Sequence, residues 1–251
     1  MSTSEPGRLR SLMPLPDRVV DDRLLFHRYL AELLELAGGE LPPGPGPADL
    51  DVYEWEHAAR AAVIASLPQS GPWPEAVFNA LIRAIVHDPN PSFNRQLIEP
   101  ALAVAGHRKV QESLIELLVD GTNAEKAGAA RAWYWAKMPF TRQWRGEWNA
   151  LVATEGFTKA IEALVALQAA QREVVSRELA KTKDLRLRWR EAALREFVSN
   201  EDLDVRRCIL PGLSLDPDGY PDDLKDLVAT AVHIARTHPD EYIRHRVEHQ
   251  V

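Results

Sequence analysis

The stretch His245-Arg246-Val247-Glu248-His249 sets two imidazoles four residues apart, with a carboxylate between them. On a helix this spacing puts both rings on one face, where they could ligate a metal while the glutamate serves as general base. Only two residues follow His249, and helix ends fray. An exposed polar face on a closing helix is therefore the plainer reading, and no metal or other cofactor is expected. A second concentration of chemistry is aromatic and basic. Trp133, Trp135, Trp144, Trp148 and Trp189 offer stacking surfaces, and Lys181, Lys183, Arg186, Arg188, Arg190 and Arg195 outweigh Asp184 and Glu191. Such a mixture can hold nucleic-acid bases and phosphates, but it equally describes core tryptophans beside a solvated helix face.

Nucleophilic chemistry has little support. Cys208 is the single cysteine and sits within VRRCILPGL, where a small buried hydrophobe is the simplest role. It also excludes a disulfide framework and cysteine-based zinc or iron–sulfur sites. No Gly-x-Ser-x-Gly, P-loop or G-x-G-x-x-G pattern occurs. The glycines of GGELPPGPGP follow a helix rather than a strand, and the prolines remove amides that a phosphate cradle needs. Asp216, Asp218, Asp222, Asp223 and Asp226 crowd one helix start, where they suit the helix dipole. The formal charge of −7 speaks against a broad phosphate-binding surface. No apolar run is long enough to cross a membrane, and no apolar leader marks the N-terminus. A cytoplasmic, enzymatically inactive protein is expected.

The elements that must position these residues read as helices almost throughout. Apolar positions recur at helical spacing from about Val19 to Ala37, stopped by Gly38-Gly39. After a Pro/Gly-rich loop over 38–52, further helices are expected over Tyr53–Leu67 and from Pro74 to His87. Asp88-Pro89-Asn90-Pro91, Gly106 and Asp120-Gly121-Thr122 punctuate the next ones, and Thr122 with Glu125 fits a capping box. Pro139 closes that helix. An irregular stretch over 139–183 includes a long helical pattern from Phe157 to Lys183. Helices follow at Leu185–Val198, Leu203–Leu213, Leu224–Thr237 and from Glu241 onward. Residues 1–17 read as a disordered tail, 18–73 as a helical cap and 74–251 as a repeat region.

The turns repeat. Asp88 is followed six residues later by Asn94, Asp120 by Lys126, Asn200 by Arg206 and His238 by Arg244. Helix pairs at periods near 40 residues point to an α-solenoid. On these residues, and on NEDLDVRRCILPGL, HPDEYIRHRVEHQ and the small-residue run in DGTNAEKAGAARAWYWA, the chain resembles the HEAT-repeat family. The resemblance implies an all-α superhelix of about five antiparallel helix pairs. It also implies a ladder of turn acids and second-helix arginines, and a curved inner face made by the second helices.

That face would bind a protein or peptide. Its expected residues are Arg95, Glu99, Arg131, Trp135, Arg206 and Arg244, with Trp144, Arg145 and Trp148 as an edge contact. A HEAT-like DNA glycosylase for alkylpurines is the alternative, and it would need a carboxylate beside two aromatics in a basic groove. Two other resemblances are weaker. Inverted zinc metalloproteases share the H-x-x-E-H form but take a further ligand downstream. HEAT-like di-iron hydroxylases use adjacent His-Glu pairs, whereas Glu56-His57 and Glu248-His249 have the reverse order.

Overall fold

Phe26, Leu30, Leu33 and Leu34 lie on one stripe of the first helix and are fully or almost fully buried, which is the helical spacing visible in the sequence. This helix, α1 (Arg23–Ala37), ends at Gly38 in the left-handed region (φ 71°). The Gly39 amide then closes back on the Leu34 carbonyl at 2.8 Å, a geometry that glycine at 38 makes free of strain. The computed structural model describes residues 12–19, 22–44, 49–68, 72–137, 176–177 and 179–251. Among these residues the ordered elements are all helical, with no strand.

Among the described residues there follow α2 (Asp49–Ser66), α3 (Glu75–His87), α4 (Arg95–Asp120), α5 (Asn123–Ala136), α6 (Lys183–Ser199), α7 (Leu203–Ile209), α8 (Lys225–Thr237) and α9 (Glu241–Glu248). Several boundaries differ from expectation. Helix α1 begins four residues after Val19, because residues 12–19 take another path. Helix α2 begins at Asp49, inside the expected loop over 38–52. Gly106 (φ 81°, ψ 158°) is non-helical and divides α4 into two helical parts, as the sequence predicts. Helix α7 stops at Ile209, and a short 3-10 turn, Leu210–Gly212, completes the stretch expected as helix. The irregular 139–183 segment, apart from residues 176–177 and 179–183, lies outside the described residues, as do Trp144, Arg145 and Trp148.

Helix contacts follow a two-row rule. Helix α1 packs on α3, α3 on α5, α5 on α7 and α7 on α9, while α2 packs on α4, α4 on α6 and α6 on α8. Sequential contacts such as α1 with α2, α4 with α5 and α8 with α9 join the two rows. Between them Trp133 of α5 stacks on Trp189 of α6 with ring centroids 4.1 Å apart and planes within 4°. Small residues let the odd row close up. An alanine Cβ at Gly128 of α5 would fall 1.8 Å from the Val86 carbonyl oxygen of α3.

The turns share one chemistry. Asp88, Asn200 and His238 each accept a hydrogen bond from the amide two residues on, at 2.9, 2.9 and 3.0 Å respectively. Each bond satisfies an amide the turn would otherwise orphan. Asp202 and Asp240 then cap α7 and α9, and Thr122 with Glu125 forms the expected capping box on α5. Polar links cross from unit to unit. Arg60 of α2 grips buried Asp88 through Nε at 2.8 Å, Asn200 Nδ2 donates to Asn123 at 2.9 Å, and Arg207 donates to Asp240 at 2.6 Å.

Candidate functional site: an extended strap over an aromatic cavity

Leu12 to Val19 has no helical structure, and alternating prolines (Pro14, Pro16) keep such a stretch extended. Residues 12–17, expected within a disordered tail, instead cross the odd row of helices. The Met13 amide donates to His245 Nε2 of α9 at 3.1 Å. The Val19 amide donates to Asp204 Oδ1 of α7 at 2.9 Å, and Arg18 Nη2 donates to the Ala124 carbonyl of α5 at 3.0 Å. Asp22, just beyond, meets His87 of α3 at 3.2 Å. The segment therefore touches α9 at Met13, α5 at Arg18 and α7 at Val19, and Asp22 touches α3.

Main-chain amides carry two of these contacts, so any extended segment could make them. Met13 and Leu15 add side-chain packing against the core. His245 accepts here only as the tautomer with its proton on Nδ1. Its ring lies 4.6 Å from that of His249, but Nε2 is engaged by the strap. Among the described residues no group of three metal-ligating side chains converges.

Beneath the strap lies a cavity of about 370 Å³. Trp133, Trp135, Trp189 and Tyr242 give it aromatic walls, and Leu12 to Leu15 close one side. Three cations line it, Arg131, Lys137 and Arg246, and among the described residues no aspartate or glutamate does. Arg131 is 7% exposed; Nη2 donates to the Pro89 carbonyl, while buried Nε has no partner. Nε of Arg246 is buried without a partner as well. Burial, reinforced by the charge of Arg18, pulls the Arg131 guanidinium below its ordinary value, and burial does the same to Lys137. Cys208, also on the lining, has its thiol pushed up to about 11 by burial, so it stays protonated and unreactive at neutral pH.

A second cavity of about 370 Å³, on the α1–α2 side, differs in kind. Its charges neutralise one another: Arg18 meets Asp22 at 2.8 Å, and both Arg23 and His27 meet Glu56 at 3.0 Å. Burial opposes ionisation of Asp22, but His87 and Arg18 outweigh it and hold the carboxyl below its usual range.

The residues expected to bind fall into three groups. Arg131 and Trp135 line the aromatic cavity. Arg95 and Glu99 pair on α4, and the Arg95 guanidinium lies 5.1 Å above the Trp135 ring, which itself donates to Pro91 at 2.9 Å. Arg206 and Arg244 do not line the cavity. Arg206 Nε donates to the Phe197 carbonyl at 3.2 Å, and Arg244 donates to the carbonyls of His238 and Pro239, so each holds its own turn. The inter-unit contact expected of Arg206 belongs to Arg207. The basic run near α6 is also largely engaged: Arg186 donates to Thr182, Arg190 to the Gly219 carbonyl and Arg195 to Glu191.

Sequence reading passed over the strap, Asp204, Tyr242 and Arg246. Only the Pro-apolar alternation of Met13-Pro14-Leu15-Pro16 hinted at an extended ligand-like segment. Comparison with family models, curated proteins and solved structures gives no match to this chain.

Proposed function

We propose that the chain is a non-catalytic binding module: a curved stack of helix pairs, similar to HEAT repeats, whose odd-numbered helices hold an extended peptide of a partner protein. One observation carries this reading. The chain's own Leu12–Val19 segment already lies across these helices in extended form, bound through main-chain amides to His245 and Asp204. The strap behaves as a ligand tethered in cis. A partner segment of similar extended, Pro-interrupted and apolar character replaces it and makes the same main-chain bonds. Preformed helices need little rearrangement, so affinity goes into anchors rather than ordering. For the glycosylase alternative, the cavity supplies aromatic walls but, among the described residues, no lining carboxylate.

The test is binding in trans. A labelled synthetic peptide of residues 8–20 is titrated, by fluorescence anisotropy, into the full chain and into a variant lacking residues 1–19. The truncated variant should bind, and the full chain should bind about 100-fold more weakly, because the tether presents the strap at millimolar effective concentration. Should truncation disturb folding, Leu15→Asp in the full chain loosens the strap and leaves the groove intact, so binding of the wild-type peptide should rise. A helical truncated variant that ignores the peptide, together with an unresponsive Leu15→Asp variant, overturns the reading. A labelled duplex DNA retained at low salt by either protein would favour the nucleic-acid alternative instead.

A further inference from the structure

We propose that the cavity under the strap is a binding site for a small planar aromatic molecule carrying one anionic group. Shape and charge point the same way. Its volume of about 370 Å³ lies at the small end of the range for small-molecule sites, about 300–1,000 Å³. The stacked pair Trp133 and Trp189, with Tyr242, provides flat apolar surfaces that suit a ring. The charge balance is unusual for a protein of net charge −7: among the described residues Arg131, Lys137 and Arg246 face this space and no carboxylate does.

Buried cations are normally paired, because an uncompensated charge is costly to desolvate. Arg60 has Asp88, Arg18 has Asp22 and Arg207 has Asp240. Around the cavity, by comparison, Arg131, Lys137 and Arg246 stand with no carboxylate beside them among the described lining residues. An anion in the cavity meets these cations through charge-assisted hydrogen bonds. A ring attached to it rests on the tryptophans, and Met13 and Leu15 of the strap cover it. Carboxylate and phosphate share this chemistry. The inference rests on the cavity itself and does not require the strap to be displaced.

Calorimetric titration of the full chain with three indoles of similar shape separates ring from charge. Indole-3-acetate should bind at least about tenfold tighter than neutral 3-methylindole, with cationic tryptamine weakest, since a charge-assisted bond contributes that factor or more. AMP forms a fourth arm: tighter binding of AMP than of indole-3-acetate assigns the anion as phosphate, and the reverse assigns carboxylate. Arg246→Gln should bring indole-3-acetate down to the affinity of 3-methylindole while leaving 3-methylindole itself unchanged. Arg131→Met should act alike, but Arg131 also holds the Pro89 turn, so the decisive variant is Arg246→Gln. Equal binding of the three indoles, a preference for indole-3-acetate that survives Arg246→Gln, or no binding of any probe up to about 10 mM would overturn the proposal.

Discussion

Replacing Gly128 by alanine should destabilise the protein, although the same change inside an ordinary helix stabilises it. Alanine is favoured over glycine by about 1 kcal/mol at an interior helix position. At Gly128 the added methyl would fall 1.8 Å from the Val86 oxygen, 2.6 Å from its carbonyl carbon and 2.9 Å from its Cα, well inside the 3.4 Å at which ordinary contact begins. The obstacle is backbone within α3, so it cannot swing aside as a side chain would. Helices α3 and α5 must separate, which loosens the contact between Gly128 and Val86. Overpacking of this kind costs about 1–3 kcal/mol and sometimes more, so the net loss should be about 2 kcal/mol. Urea unfolding followed by far-UV circular dichroism measures it. Gly212→Ala is the control, since nothing lies within 4 Å of a methyl there. A Gly128→Ala protein as stable as wild type, or more stable, would refute the close packing of the odd row.

Three further outcomes are expected. Asp88→Asn should cost about 1–3 kcal/mol, because Arg60, which is 1% exposed, loses its bidentate carboxylate and keeps Glu56 at 3.9 Å; urea midpoints report this. Thr122→Ala should cost about 1 kcal/mol by removing the reciprocal cap with Glu125, again read from urea unfolding. Asp240 should make acid stability depend on Arg207. Burial opposes its ionisation, but the Arg207 hydrogen bond and the Ile243 amide outweigh burial and hold the carboxyl below its usual value. Folding thus favours the ionised form. That contribution is complete above about pH 5, and it is lost as pH falls through the unfolded value near 3.9 and on through the lower folded one. Between pH 5 and pH 3, Asp240→Asn should therefore lose less stability than wild type.

Local rules written in short stretches of chain were legible. Gly38, the Thr122–Glu125 cap and the turn residues Asp88, Asn200 and His238 act within a few residues of themselves, so spacing alone located them. The ladder position was misplaced by one residue. Each helix position turns by about 100°, so Arg206 points back to its own hairpin while Arg207 reaches the next unit. The start of α2 was missed because proline and glycine before it mask the helical signal. The candidate site was less legible still. Trp133 and Trp189 are far apart in sequence, and their stack exists only once α5 and α6 pack. Nothing periodic marks Leu12 to Val19, whose partners lie as far away as His245.

The central claim is that these helices hold an extended chain by its main-chain amides, and hydrogen exchange of the Met13 and Val19 amides tests it most directly. With the bonds to His245 and Asp204 formed, both amides should exchange at least about tenfold more slowly than in a free peptide of residues 8–20, and added partner peptide should abolish the protection. Exchange of both amides at the free-peptide rate in the intact protein would contradict the account.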